Sequence, residues 1–227
     1  SLGLVANTDN ENNGGGGLVT CYQQHLKIIN CHCIFDQISG TGCGGLCGAQ
    51  NNNIIIDRSS CRIRIISGPK TGGLIGAGCG QQEVCFISNS YCQGQLTGMD
   101  AGGLCGYKSA NCQLQGCYFA GNIMGENSGG LCGSYSALQT TQFRILSCYC
   151  LGHVSGRGAG GICGAYFSGH PQLGVCSFRY VYYSGQLSGL NCGGMFGTFS
   201  GTNGGVELYQ CYTNETIVSS VSNNGIG

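Results

Sequence analysis

A glycine pair recurs along the chain at a nearly constant interval, and this repeat limits the fold more than any other feature. The first glycines of the pairs are Gly16, Gly44, Gly72, Gly102, Gly129, Gly160 and Gly193, spaced by 28, 28, 30, 27, 31 and 33 residues. Thirty residues further on stands Asn223, in the degenerate run Asn223-Asn224-Gly225-Ile226-Gly227. Four copies read Gly-Gly-Leu/Ile-Cys-Gly, at 44–48, 102–106, 129–133 and 160–164. A period of this size signals a solenoid or an array, in which each unit buries its apolar face only against its neighbours.

Around the pair the frame is stricter still. Four residues before it come Gly40, Gly68, Gly98, Gly125, Gly156 and Gly189, and six before it come Ile38, Ile66, Leu96, Ile123, Val154 and Leu187. Two residues after the first glycine come Leu46, Leu74, Leu104, Leu131, Ile162 and Met195. Runs such as 61-CRIRI-65 and 143-FRILS-147 alternate with period two, bounded by glycine and asparagine, as strands do. No stretch carries a 3.6-residue amphipathic pattern, and the helical half of a leucine-rich repeat is missing.

Three short strands and three corners in about 30 residues describe one rung of a parallel β-helix. The expected fold is therefore all-β: a single right-handed parallel β-helix of about seven rungs. Residues 1–15 are expected to form an N-terminal cap or lead-in, and 16–227 the repeats. Equivalent residues would stack roughly 4.8 Å apart, giving a rod on the order of 35 Å long. Glycine is expected at the corners for its conformational freedom, with the adjacent Leu and Cys facing inward.

Composition removes several functions. Only 8% of the 227 residues are charged and the formal net charge is zero, which argues against nucleic acid, whose phosphates demand excess Lys and Arg. No apolar run approaches the roughly 20 residues of a spanning helix, so membrane insertion is not expected. Disorder is excluded by a 41% hydrophobic content. The 45 glycines lack a three-residue period and accompany only two prolines, which excludes collagen. Nineteen cysteines form an odd set that recurs with the repeat, unlike a small disulfide scaffold.

The frame Cys-Tyr-x-x-Gly-x-Val-x-Gly-x-x-x-Gly-Gly-Leu-x-Gly resembles the GLUG-motif repeats. Its best copies are 148-CYCLGHVSGRGAGGICG-164 and 117-CYFAGNIMGENSGGLCG-133, and 211-CYTNETIVSS-220 begins another. The chain departs from the motif by placing Cys where Val or Ile is usual. The resemblance implies parallel β-helix modules of bacterial surface proteins, adhesins and large extracellular proteases, with similar Cys-rich arrays in large DNA viruses. It implies no catalytic residues.

Tyrosine supplies the candidate binding column. Tyr91, Tyr118, Tyr149, Tyr182 and Tyr212 share one position in five successive repeats. Strict alternation in phase with Ile145 and Ser147 directs this column into the core; an outward column would be a platform for sugars or another protein. Cys47, Cys105, Cys132 and Cys163 share a second position, and Cys117, Cys148 and Cys211 a third. Pairs such as Cys31-His32-Cys33 lack the Cys-x-x-Cys spacing of a metal knuckle, so neither metal nor cofactor is expected and the thiols are expected to be buried and reduced, with bridges between stacked rungs geometrically allowed.

Acid–base chemistry has no visible site. The acidic residues share no column, and only Asp57 with Arg58, Arg62 and Arg64 gathers charge. His25, His32, His153 and His170 fall in different frames. Threonine (Thr97, Thr140, Thr141, Thr198) forms no ice-binding ladder, and Asn214-Glu215-Thr216 is a lone glycosylation sequon. The chain begins with Ser1 and ends at Gly227 in the repeat frame, which suggests a processed form or a segment docking end-on against a partner, another copy or more of its own chain. The expected role is non-enzymatic: a structural or adhesive module of a cell surface, filament or virion. The competing roles are a glycan-binding module and a polysaccharide-active enzyme.

Overall fold

The computed structural model describes residues 3–5, 14–138, 142–167, 176–201 and 205–217. A short strand, β1 (Gly3–Val5), is followed by seven pairs of strands. These are β2 (Gln24–Ile29) and β3 (His32–Ile38), β4 (Asn52–Asp57) and β5 (Ser60–Ile66), and β6 (Cys85–Ser88) and β7 (Tyr91–Leu96). They continue as β8 (Cys112–Gln115) and β9 (Tyr118–Ala120), β10 (Arg144–Leu146) and β11 (Tyr149–Leu151), β12 (Cys176–Arg179) and β13 (Tyr182–Leu187), and β14 (Val206–Tyr209) and β15 (Tyr212–Ile217). The odd-numbered strands form one eight-stranded sheet and the even-numbered strands one seven-stranded sheet, both in chain order. All pairings are parallel. The protein is a single parallel β-solenoid.

The third side differs from the expected third strand. It is a ladder of isolated bridges, Gly16–Gly44–Gly72–Gly102–Gly129–Gly160–Gly193, accompanied by Val19–Cys47–Ile75–Cys105–Cys132–Cys163–Phe196. The seven stacked glycines bound six complete turns. Between the two bridges the chain turns tightly, and the leucine of each copy donates its N–H to the next: Leu74 N to Leu104 O at 2.9 Å, Leu104 N to Leu131 O at 3.1 Å.

Those paired glycines are required by space. None of them has a positive φ. A Cβ on Gly102 would overlap the Cys105 carbonyl oxygen and lie 2.5 Å from the Gly133 nitrogen. On Gly103 it would overlap the Gly130 carbonyl and the ring of Phe119. The inward side chains of the opposite sheet thus reach across the interior and rest on bare backbone.

The left-handed conformation lies elsewhere and mostly on other residues. Asn30, Arg58, Asn89, Gly116, Ser147, Tyr180 and Gln210 hold φ of 48 to 63° between the two sheets. Gly42, Lys70, Asp100, Asn127, Gly158 and Asn191 are left-handed before the glycine pair (φ 55 to 68°), and Tyr22, Gln50, Gly78, Lys108, Tyr135, Tyr166 and Phe199 after it (φ 55 to 70°). The corners are thus made by left-handed residues, and some third corners hold two, as at Gly78 and Gly80 or Tyr135 and Ala137.

The core is a set of parallel stacks. Ile38, Ile66, Leu96, Ile123, Val154 and Leu187 are fully buried, as are Leu46, Leu74, Leu104, Leu131 and Ile162. In the second sheet the buried Ile56, Ile87, Leu114, Ile145 and Phe178 succeed one another in register, and Leu208 follows them, exposed, on the last strand. At the start of the chain, β1 pairs with β3 through Phe35, Gln37 and Ile38. The rest of the expected cap (1, 2 and 6–13) and the degenerate repeat around Asn223 lie outside the described residues.

Candidate functional site

The tyrosine column faces outward, opposite to strict alternation. Tyr91, Tyr118, Tyr149, Tyr182 and Tyr212 are paired in register along one sheet. The residues that follow, Cys92, Phe119, Cys150 and Tyr183, are the buried ones. Ser147 explains the inversion. It adopts φ 52° between β10 and β11, so the chain turns there and the alternation begun at Ile145 restarts on the opposite phase.

The rings form one continuous stack. Centroid separations are 4.7, 4.8, 4.9 and 5.2 Å from Tyr91 to Tyr212, with planes within 7° of parallel. The inner rings, Tyr118, Tyr149 and Tyr182, therefore carry a parallel ring on both faces. A sugar packs on an aromatic face, and here those faces are occupied. What the column presents to solvent is ring edges and phenolic oxygens. Ser60 and then Arg62, hydrogen-bonded to the Tyr91 hydroxyl, hold its pKa below the ordinary tyrosine range, while burial pushes those of Tyr118 and Tyr182 up.

Replacing Tyr149 with Ala removes two stacked contacts. At about 0.5–1.5 kcal/mol each, the expected loss is about 1–3 kcal/mol, whereas Tyr149→Phe keeps both rings and changes stability little. Urea denaturation of the two variants checks this; equal losses would mean that the hydroxyl, not the stack, holds the column.

Beside the stack the same sheet has a shallow open groove of about 490 Å³, lined among others by Ile34, Arg62, Gln93, Gly94, Ala120 and Gly121. Arg64, also on its lining, is held in a bidentate pair with Asp36, at 2.7 and 2.9 Å. A second aromatic ladder, not anticipated from the sequence, runs down another corner. Tyr135 stacks on Tyr166 (4.6 Å, 17°) and Tyr166 on Phe199 (5.2 Å, 18°), while Tyr107 meets Tyr135 edge-on. Lys70 and Lys108 place their Nζ atoms 4.8 and 4.9 Å from the Tyr107 ring centre. The signal was available: Tyr135, Tyr166 and Phe199 each stand six residues after the first glycine of their pair.

The charged and imidazole groups serve local structure. Asp57 accepts from Ser88, Asn89 and Arg58 at 2.8, 3.1 and 2.8 Å. These bonds, Ser88 first, hold its carboxyl below the usual range. The stabilisation is thus present above the unfolded-state pKa and lost as pH falls through the lower folded value. His32 Nδ1 meets Ser60 Oγ at 2.8 Å, and His25 Nδ1 meets Asn53 Nδ2 at 2.8 Å. His170, Thr140 and Thr141 lie outside the described residues.

The cysteines are all free thiols, fifteen buried and four partly exposed. Several replace serine as turn caps. Ser59 and Ser90 donate to the carbonyl two residues back at 2.9 and 2.6 Å. Cys117 and Cys148, in the same column, donate to Gln115 and Leu146 at 3.3 and 3.2 Å. Cys33 differs: a hydrogen bond from the Cys61 thiol lowers its pKa to about 7, and it is partly exposed. Because the thiolate is the nucleophile, Cys33 is expected to be alkylated by iodoacetamide ahead of Cys31 and Cys211 at neutral pH. Peptide mapping after a short pulse checks this, and Cys61→Ala should abolish the preference.

Among the described residues, one group of His, Cys, Asp or Glu side chains converges well enough to hold a metal: Cys79, Cys105 and Cys112. No repeat position or spacing in the sequence points to it. Fold and columns together define the class, a cysteine-rich parallel β-solenoid repeat protein. Comparison with known proteins returns no match to a family model, a curated protein or a solved structure.

Proposed function

We propose that this chain is a non-enzymatic structural or adhesive module, a GLUG-like β-solenoid that works as a rigid spacer within a cell surface, filament or virion. The observation that carries the reading is the self-stacked exterior. Five tyrosine rings cover one another's faces, and Asp57 and Arg64 bond within their own or adjacent turns. Such a surface favours axial rigidity over capture of a small substrate. Its partners are other copies of the chain or a larger assembly.

A glycan-binding role remains the second reading, supported by the outward phenolic edges and the groove beside them. That role has to use hydroxyl and amide hydrogen bonds, with ring stacking restricted to the ends of the column. Asp57 and Asp36 are bonded to arginine, serine and asparagine side chains rather than facing a second carboxylate, so the polysaccharide-active alternative has the least support.

Two measurements on the isolated chain separate these roles. Sedimentation velocity over a range of concentrations is expected to reveal self-association, with no binding on a glycan array. A monomer at every concentration, together with array binding lost in Tyr118→Ala, would transfer the assignment to the glycan reading.

A further inference from the structure

We propose that Cys79, Cys105 and Cys112 form a three-coordinate thiolate site for Cu(I) inside the solenoid. The three come from different columns. Cys105 belongs to the bridge ladder, Cys112 opens β8, and Cys79 occupies the third corner between Gly78 and Gly80, both at positive φ. In the neighbouring turn the equivalent of Cys79 is Ser109, whose Oγ lies 3.2 Å from the Cys79 sulfur. The three sulfurs lie within 4.8 Å of one another, and Cys79 and Cys112 are 3.3 Å apart. All three side chains are fully buried.

The donor set selects the ion. Three sulfurs with neither carboxylate nor imidazole in the converging group suit a soft cation. Structural zinc takes four protein ligands in a tetrahedron, whereas Cu(I) is satisfied by three thiolates. Binding forms three Cu–S bonds and releases three thiol protons, with no change of oxidation state. The protons pass to solvent or to the carrier ligand that delivers Cu(I), a small thiol or chelator complex. Cys112 donates to Cys105 and Cys79, and these hydrogen bonds, ahead of burial, hold its pKa well above the ordinary thiol value. Metal therefore competes with protons, and affinity rises with pH. The Ser109 hydroxyl accepts from the Cys79 thiol at 3.2 Å and gives its own proton to the Gly106 carbonyl at 2.8 Å, so it turns toward the sulfur only once that thiol is deprotonated.

The test titrates the whole reduced chain anaerobically with Cu(I) against a colorimetric Cu(I) chelator. X-ray absorption reports the ligand number, and emission reports Cu–thiolate shielded from water. The expected result is one Cu(I) per chain, bound to three sulfurs, with emission. Cys79→Ser is the decisive variant, because Ser109 and Ser136 fill the same corner in the next turns and the fold should tolerate it. It should weaken binding by at least about 100-fold, the upper end of what loss of an outer-shell partner costs. Cys192→Ser, in a different column, should bind as the parent does. Failure of the parent chain to hold Cu(I) against the chelator would overturn the proposal. So would unchanged affinity in Cys79→Ser, zinc held by four sulfurs in the purified chain, or a Cys79–Cys112 disulfide in protein isolated without reductant.

Discussion

Gly102→Ala is expected to prevent the middle of the solenoid from closing. The added methyl meets the Cys105 carbonyl oxygen and the Gly133 nitrogen. Both belong to the backbone, one in the same turn and one in the next, so rotamer change gives no relief. Relief requires the turns to move apart, breaking the bonds that join Leu104 to Leu74 and Leu131. A loss of at least about 4 kcal/mol is expected, which belongs to the small class of severe single substitutions. Gly15→Ala is the matched control. A Cβ there meets nothing within 4 Å, and its effect should stay within about 0.5 kcal/mol. Equilibrium denaturation of both variants decides the matter; similar midpoints would show that the glycine pair is not a packing requirement.

The second large effect is expected at Phe178. Its ring is fully buried. It meets Phe167 at 5.4 Å and Phe196 at 5.1 Å, both edge-on, and Phe143 at 6.5 Å. Phe178→Ala should cost about 3–5 kcal/mol through lost burial and the cavity left behind. Phe178→Leu should cost clearly less than Phe178→Ala, because it keeps most of the buried apolar volume and an aliphatic side chain, Ile145, already fills the same column in the preceding turn. In a solenoid each turn leans only on its neighbours. Hydrogen exchange in Phe178→Ala should therefore accelerate around β10, β12 and β14 before it does so in β4 and β6. Uniform acceleration along the chain would contradict this local accounting.

Much of the fold was legible because a stacked architecture repeats its needs. Ile38 through Leu187 and Leu46 through Ile162 had to be apolar in every turn, and each is fully buried. What period-two reasoning missed lies at the corners. It treats a strand and its neighbour as one continuous ribbon, whereas Ser147 and its equivalents interrupt that ribbon in the left-handed region. For this reason Tyr149 points out although alternation from Ile145 points it in. The glycine pair is obligatory for lack of space at Gly102 and Gly103, not for a left-handed conformation, and lack of space leaves no mark in a single repeat's sequence. The thiol group was not legible at all. Cys79 follows its glycine pair by seven residues, whereas Cys105 and Cys112 follow theirs by three and ten. Only the folding of the third corner brings these offsets together.

The ladder of identical bridges has a consequence for how such a molecule changes size. Gly44 over Gly72 and Gly102 over Gly129 are the same junction used again. A gene segment encoding one whole coil can thus be copied or deleted without inventing a new contact surface. Length then moves in quanta of roughly 4.8 Å, and the number of copies alone sets how long the rod is.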